Sequence, residues 1–136
     1  MKKLINPKEL YDAKAFGMSQ AVLYTRENLV FVSGQVDWGL DFKTTEKTFE
    51  GQLKKALANL KIVLDASNSS VDLLLSIRIY VRGELGDYMG AAVPLLASFF
   101  GESRPAVTGI GEASLASPET LVEIEAIAAA KETEMQ

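Results

Sequence analysis

One apolar stripe between residues 44 and 66 does most to limit the folds open to this chain. Apolar residues recur there at steps of three and four, at Phe49, Leu53, Ala56, Leu57, Leu60, Val63 and Leu64. This spacing predicts a long helix with one buried face, which must lie against another element. Thr44 or Thr45 is the predicted N-cap, and Asn68-Ser69-Ser70 ends the helix. Gly51 within it predicts close helix packing at that point.

The segments before and after this helix have the two-residue period of strands. Residues 21 to 36 contain two β-branched and aromatic runs around Arg26-Glu27-Asn28, the pattern of a hairpin. The second run ends at Ser33-Gly34-Gln35, where glycine predicts a bulge or the close approach of another group. In residues 71 to 82, apolar and polar positions alternate, which predicts a third strand whose apolar side is Leu75, Ile77, Ile79 and Val81.

The C-terminal part predicts a second helix and two more strands. The helix runs from about Asp87 to Phe100, with Pro94 inside it and Gly101 just beyond it. Residues 106 to 113 and 121 to 129 read as strands, and Glu123 and Glu125 project to the same face of the last strand. The polar tail after Lys131 is expected to fray.

The predicted order is β-β-α-β-α-β-β, which indicates an α+β fold: one domain over residues 1–136 with two helices on one face of a mixed sheet. The other face carries Tyr80 and Ile127, and no predicted element remains to cover it. A half-apolar face of this kind predicts association with further copies of the chain.

Composition excludes several kinds of chemistry. The 136 residues include no histidine and no cysteine, so we expect no metal site and no cofactor, and proton transfer must use carboxylates, Lys, Tyr, Ser or Thr. A net charge of −4 argues against a nucleic-acid partner. The sequence has no apolar run of about 18 residues, so we expect no membrane span. Its start, MKKLINPKEL, does not have the pattern of a signal peptide. We therefore expect a cytoplasmic protein.

Five segments, in this order, resemble the Rid family, the YjgF-like reactive-intermediate (imine/enamine) deaminases, some of which carry the older label endoribonuclease L-PSP. They are V-S-G-Q at 32–35, Q-L-K-K-A-L-A-N-L-K-I-V-L at 52–64, F-F-G-E at 99–102, R-P-A at 104–106 and V-E-I-E-A-I-A at 122–128. The resemblance spans about residues 16 to 130. It implies a chorismate-mutase-like fold and a homotrimer, with clefts for a small-molecule ligand between neighbouring subunits.

The resemblance also implies roles for several residues. In active deaminases of this family, a glutamate on the last strand is associated with the attacking water, and Glu123 matches it. A serine in the S-G-Q segment and an aromatic residue before S-Q-A shape the cleft. Ser33, followed by Gly34, matches the serine, whereas Met18 stands where the aromatic residue is expected.

The cleft arginine of active deaminases is missing here. That arginine follows the Pro-Ala pair and binds the carboxylate of a 2-imino acid, but this chain has Val107, and Gly109 stands where some members have cysteine. Losing a charge-assisted contact to a carboxylate costs on the order of 1.5–3 kcal/mol. Arg104 lies three residues earlier and is either a solvated surface charge or a replacement ligand contact. Arg78 is a second candidate, with a strand-face ion pair as its alternative.

These residues predict a divergent Rid-like protein that binds or hydrolyses a small metabolite and is not a standard 2-imino-acid deaminase. If it is an enzyme, it is a hydrolase of imine, enamine or related C–N bonds. One alternative is a 2-iminobutanoate-type deaminase in which another basic residue replaces the arginine. A second, an endoribonuclease, is opposed by the acidic charge and by the lack of interleaved basic and aromatic residues.

Three local interpretations stay open. Glu123 is either a general base or the partner of a cation. Gly109 and Gly111 are either a phosphate loop or strand glycines that let subunits approach closely. Trp38 and Phe42 either form a lip over the cleft or pack a loop.

Overall fold

The computed structural model describes residues 1–132, which build one six-stranded sheet with two α-helices on one face. The strands are β1 (Lys2–Ile5), β2 (Ala21–Tyr24), β3 (Leu29–Gln35), β4 (Leu74–Arg82), β5 (Ala106–Glu112) and β6 (Val122–Ala129). The helices are α1 (Phe49–Ala66) and α2 (Met89–Phe100). The strands lie in the order β1-β2-β3-β6-β4-β5, with β4 and β5 parallel and the other neighbours antiparallel. The predicted α+β fold with a mixed sheet is confirmed.

The predicted strand order lacks one element. β1 pairs antiparallel with β2 at the edge of the sheet, ahead of the first strand that the sequence predicts. Three of its four residues are exposed, and two of those are lysines. A short, charged edge strand has no apolar period that would reveal it, although this composition suits an edge.

The predicted N-cap of α1 is wrong. Thr48 occupies that position, and its hydroxyl oxygen accepts a hydrogen bond from the Gly51 amide at 3.0 Å. A Cβ on Gly51 would lie 2.7 Å from Glu46 Oε1 and 2.9 Å from Thr48 Oγ1. The nearest neighbours of Gly51 therefore belong to the capping segment of its own helix, whereas the sequence predicts close helix packing there.

The core lies between the helices and one face of the sheet. α1 contributes Leu53, Leu60 and Leu64, and the sheet contributes Val30, Val81 and Ile124, all of them buried. In β4 the register shifts between Leu74 and Ser76, so Leu74 is buried and Leu75 exposed. The predicted alternation is therefore wrong at the start of this strand. Within the described chain, no helix is long and apolar enough to cross a membrane.

The opposite face of the sheet, which we call the open face, is uncovered by any element of residues 1–132. Phe31 on β3 lies beside Ile127 on β6, with exposures of 46% and 36%. Arg78 and Tyr80 on β4 lie in register with Glu125 and Glu123 on β6. The predicted half-apolar face carrying Tyr80 and Ile127 is thus present.

Candidate functional site

The site is organised around Glu123 on β6, beside a bulge in β3. The pairing of these strands shifts register between Val32 and Gln35, which places Ser33 and Gly34 within the irregular segment. A Cβ on Gly34 would overlap the carboxylate of Glu123. The bulge and the close approach predicted at this glycine are both present, and together they make room for the carboxylate.

A chain of hydrogen bonds fixes the position of Ser33. Its hydroxyl donates to the Ser19 carbonyl at 2.6 Å, and its amide donates to the Gln20 carbonyl at 2.9 Å. The side-chain amide of Gln35 donates to the side-chain oxygen of Gln20 at 2.9 Å, and that of Gln20 donates to the Tyr11 carbonyl at 3.0 Å. Because the Ser33 hydroxyl already donates its hydrogen to the Ser19 carbonyl, it can offer a ligand only its oxygen, as a hydrogen-bond acceptor.

Glu123 closes one side of a groove of about 310 Å³, which we call the Glu123 groove. Four predicted site residues meet there: Met18, Ser33, Gly34 and Glu123. The remaining lining residues are Tyr11, Phe16, Val36, Trp38 and Ala116. The sequence prediction thus finds the polar side of this groove and misses most of its apolar side.

The apolar side is an aromatic cluster. The rings of Phe16 and Trp38 stand edge-to-face to Tyr11, with interplanar angles of 77° and 65° and centroid distances of 6.5 and 5.2 Å. Phe42 packs behind them, 5.6 Å from Phe16 and 6.2 Å from Trp38. Each of the two interpretations of this loop therefore applies to one residue. Trp38 lines the groove, whereas Phe42 is outside the lining and packs against the other rings.

Asp37 anchors the segment that carries Trp38. This carboxylate is fully buried and accepts hydrogen bonds from the Thr45 hydroxyl at 2.6 Å and from the amides of Thr45 and Glu46 at 3.0 and 2.7 Å. Next to it, the indole nitrogen of Trp38 is buried and has no hydrogen-bond partner within residues 1–132. Trp38 therefore presents carbon atoms, and no donor, to the groove.

The electrostatic surroundings of Glu123 favour its neutral form. Burial raises the pKa of the Glu123 carboxyl, and the nearby charge of Glu125 raises it further. Glu125 itself has partners, because Arg78 lies 3.5 Å away and the Tyr80 hydroxyl donates a hydrogen bond to it. Burial is also the main cause that raises the pKa of Tyr11, and the charge of Glu123 adds to it. Glu123 can therefore exchange a proton closer to neutral pH than an exposed glutamate.

A second groove, of about 280 Å³, lies on the open-face side of Glu123 and shares Glu123 and Ala116 with the first. Its other lining residues are Tyr80, Glu112, Ser114, Leu115 and Glu125. Among the described residues, neither groove is lined by a lysine or an arginine. The site is therefore acidic and rich in hydrogen-bond acceptors.

The other three predicted site residues lie elsewhere in the chain. Val107, on the edge strand β5, pairs with Ile77 and lines an apolar pocket of about 160 Å³ beneath α2. Gly109 lies in that pocket, and a Cβ there would be 3.0 Å from Leu85 Cδ2. Arg104 is exposed and 3.4 Å from Glu102. Contact of these residues with the cleft of a neighbouring subunit stays a prediction.

Gly109 and Gly111 are closely approached within the chain, whereas the approach of subunits at this pair stays a prediction. A Cβ on Gly111 would overlap the Gly83 carbonyl, which belongs to the segment after β4. The approach thus comes from the same chain. Neither glycine opens a helix, as a phosphate loop would require.

Sequence reasoning misses Tyr11 and Phe16 for a physical reason. They lie between β1 and β2, in a segment whose one regular element is a short 3-10 helix at Ala13–Phe16. Such a segment has no strand or helix period. Its aromatic content is the one signal it offers, since aromatic residues outside a periodic pattern commonly line sites.

Comparisons with known proteins agree with this geometry. The family model described as endoribonuclease L-PSP matches residues 12–130. The RutC family protein PH0854 of Pyrococcus horikoshii is 32% identical over 104 residues, which cover 74% of this chain and 79% of that protein. The crystal structure of yeast Mmf1 superposes with a TM-score of 0.85 at 27% identity, covering 96% of this chain and 100% of that one. The Rid-family protein YyfB of Yersinia pestis gives a TM-score of 0.71 at 31% identity, covering 94% and 98%.

Proposed function

The chain belongs to the family described as endoribonuclease L-PSP, the YjgF-like Rid proteins, and from this premise we propose that it hydrolyses the C=N bond of a small metabolite without a carboxylate. The ligand lies in the Glu123 groove. The observation that carries the proposal is a half-buried carboxyl beside an apolar wall, in a groove with no basic lining residue among the described ones. A substrate carboxylate would meet Glu123 and no cation there, and its desolvation would be uncompensated.

The chemistry assigned to Glu123 is proton transfer. A protonated imine accepts a water oxygen at its carbon, and the Glu123 carboxylate takes the proton that the water loses. The resulting carbinolamine breaks its C–N bond as Glu123 returns that proton to nitrogen. One water is consumed, and the products are a carbonyl compound and ammonium after the hydroxyl proton leaves. A carboxyl with a raised pKa suits both halves of this cycle.

We propose a homotrimer in which the open faces meet. Phe31 and Ile127 offer an exposed apolar pair, and Arg78 with Glu125 offers an ion pair at its side. Covering this face would bury the apolar pair and enclose the second groove beside Glu123. Val107 and Gly109 are proposed to reach the cleft from a neighbouring subunit, and Arg104 is proposed to stay outside it as a surface charge. We propose the cytoplasm as its compartment, from the composition alone.

Two alternatives are tested with the same protein. A 2-imino-acid deaminase would need another cation, and Arg78 is the candidate nearest to Glu123 along the sheet, although it already faces Glu125. RNA cleavage is disfavoured because the phosphate backbone would approach the negative charge of Glu123, in a chain of net charge −4.

The test compares two imines formed in situ, one by an amine oxidase from propylamine and one by an amino-acid oxidase from 2-aminobutanoate. Trapping with semicarbazide measures how fast each imine disappears. We expect faster loss of the carboxylate-free imine, and loss of this effect in Glu123→Gln but not in Glu50→Gln, which alters an exposed glutamate in the first turn of α1. No acceleration of either imine by the wild type would contradict the proposal, and activity that needs Arg78 would favour the deaminase.

A further inference from the structure

The Glu123 groove combines aromatic walls with a single carboxyl, and this pairing specifies a class of ligand. Tyr11, Phe16 and Trp38 line it on one side and Glu123 on the other. We propose that the Glu123 groove selects organic cations, namely substituted ammonium or iminium ions whose nitrogen carries an apolar shell. This inference rests on the proposed function, and it gives the charge of the substrate of that same site.

Three aromatic rings lie together at the groove. Phe16 and Trp38 are each steeply inclined to Tyr11, at 77° and 65°, so the three rings form walls at an angle to one another. The face of an aromatic ring carries negative charge and attracts a cation within about 6 Å of its centre. Phe16 is 54% exposed, so its surface is available to a ligand.

The polar groups of the groove also favour a cation. The Ser33 hydroxyl hydrogen is bound to the Ser19 carbonyl, and the indole N–H of Trp38 is buried away from the groove. What Ser33 and Glu123 offer to a ligand is therefore acceptor capacity. A cationic nitrogen, with or without an N–H, is attracted by the ionised Glu123 carboxylate, whereas an anion is repelled by it.

Because Glu123 is half-buried, a bound cation stabilises its carboxylate more than it would stabilise an exposed one. A carboxylate that is removed from water loses its hydration, and a bound cation replaces that stabilisation. The other groups that face Glu123 do not supply it: Glu125 adds negative charge, and Tyr11 is neutral below its raised pKa. Met18, beside them, contributes a polarisable thioether, which suits an alkyl-substituted nitrogen.

The chain contains a built-in reporter for the test. Trp38 is the one tryptophan of the sequence, and it lines the groove. Its fluorescence is titrated with choline, with the neutral isostere 3,3-dimethylbutan-1-ol and with 2-oxobutanoate. We expect choline to bind about tenfold or more tightly than the alcohol, and 2-oxobutanoate to bind most weakly.

Two variants separate charge from shape. Glu123→Gln should remove the preference for choline while leaving the affinity for the alcohol within about twofold. Phe16→Leu, which keeps an apolar side chain but removes the ring, should weaken choline about fivefold and the alcohol much less. Glu50→Gln makes the same charge change in an exposed residue of α1 and should alter neither. Retained binding of the alcohol shows that each variant is folded.

Each outcome decides the inference. Equal binding of choline and the alcohol, or no binding of choline, overturns it; if the wild type still hydrolyses the propylamine-derived imine through Glu123, the proposed function stands without it. Preferential binding of 2-oxobutanoate overturns both. Selective choline binding without imine hydrolysis supports the inference and contradicts the proposed catalysis.

Discussion

Gly34 and Glu123 occupy each other's space: a side chain on the first would overlap the carboxylate of the second. The bulge in β3 brings the backbone of Gly34 against this carboxylate. The position of the one carboxyl in the Glu123 groove therefore depends on the absence of a single methyl group. This relationship leads to the first prediction.

Gly34→Ala should displace the Glu123 carboxyl from the groove. Forcing a methyl group into a filled space costs about 1–3 kcal/mol of the free energy of unfolding, and we expect imine hydrolysis to be lost as well. Gly90→Ala is the control, because nothing lies within 4 Å of a Cβ there and the residue is inside α2. That variant should gain about 0.5–1 kcal/mol. Urea unfolding gives both values, and an active, fully stable Gly34→Ala would contradict the account.

The stability of the protein should depend on the ionisation of Glu123. Because its pKa is raised in the folded state, the folded chain binds this proton more tightly than the unfolded chain does. The resulting stabilisation is complete below the unfolded pKa of about 4.3 and is lost as the pH rises through the folded value. Glu123→Gln removes this loss, so the stability of the variant relative to the wild type should increase between about pH 4 and pH 7.

Urea unfolding at a series of pH values measures this difference. Glu125 is the second cause of the shift, so Glu125→Gln should lower the pKa of Glu123. The exposed Glu50→Gln serves as the control and should show no such rise. A stability difference for Glu123→Gln that is flat, or that shrinks with rising pH, would show that burial does not perturb Glu123.

Ile127→Glu should break the proposed trimer without unfolding the chain. Ile127 is 36% exposed on the open face, so a charge there costs little in one chain but opposes the burial of this face. Light scattering after gel filtration should give about three times the chain mass of 14.8 kDa for the wild type and the mass of one chain for the variant. Val93→Glu is the control, since Val93 is exposed on α2. A monomeric wild type would contradict the trimer.

Arg104→Ala should leave ligand binding and imine hydrolysis unchanged. The guanidinium is 3.4 Å from Glu102, and both side chains are largely exposed, so this ion pair contributes little to stability. Arg104 lies immediately before Pro105 and has a positive φ of 47°, so its position is set by the conformation of the local backbone. Reduced activity in this variant would show instead that Arg104 reaches a cleft, and that a cation does serve the site.

The sequence predicts the parts of this fold that have a strong period. The stripe from Phe49 to Leu64 and the alternation from Ile77 to Val81 depend on burial against one face, and the structure buries them as predicted. β1 escapes prediction because an edge strand with two lysines buries only Ile5. The N-cap escapes because three threonines precede the helix and because Asp37, on the loop before them, accepts a hydrogen bond from one of them, Thr45.

The sequence likewise predicts only part of the candidate site. Three of the predicted site residues lie in strands with recognisable sequence motifs, and the structure brings them together with Met18. They are Ser33, Gly34 and Glu123. The aromatic wall comes from a segment without a period, so the contact of Tyr11 with Trp38 depends on tertiary packing. Completion of the groove by a second subunit stays a prediction.

The central proposal is that the ligand of this protein lacks a carboxylate because Val107, as the resemblance to the family implies, stands where active deaminases have arginine. The most direct measurement is the ratio of hydrolysis rates for the propylamine-derived and 2-aminobutanoate-derived imines, in the wild type and in Val107→Arg. Val107 is 47% exposed, so an arginine can extend from β5 without entering the core. We predict a ratio that favours the carboxylate-free imine in the wild type and falls about tenfold or more in Val107→Arg, as a charge-assisted contact would give. A wild type that prefers the carboxylate-bearing imine would contradict the claim.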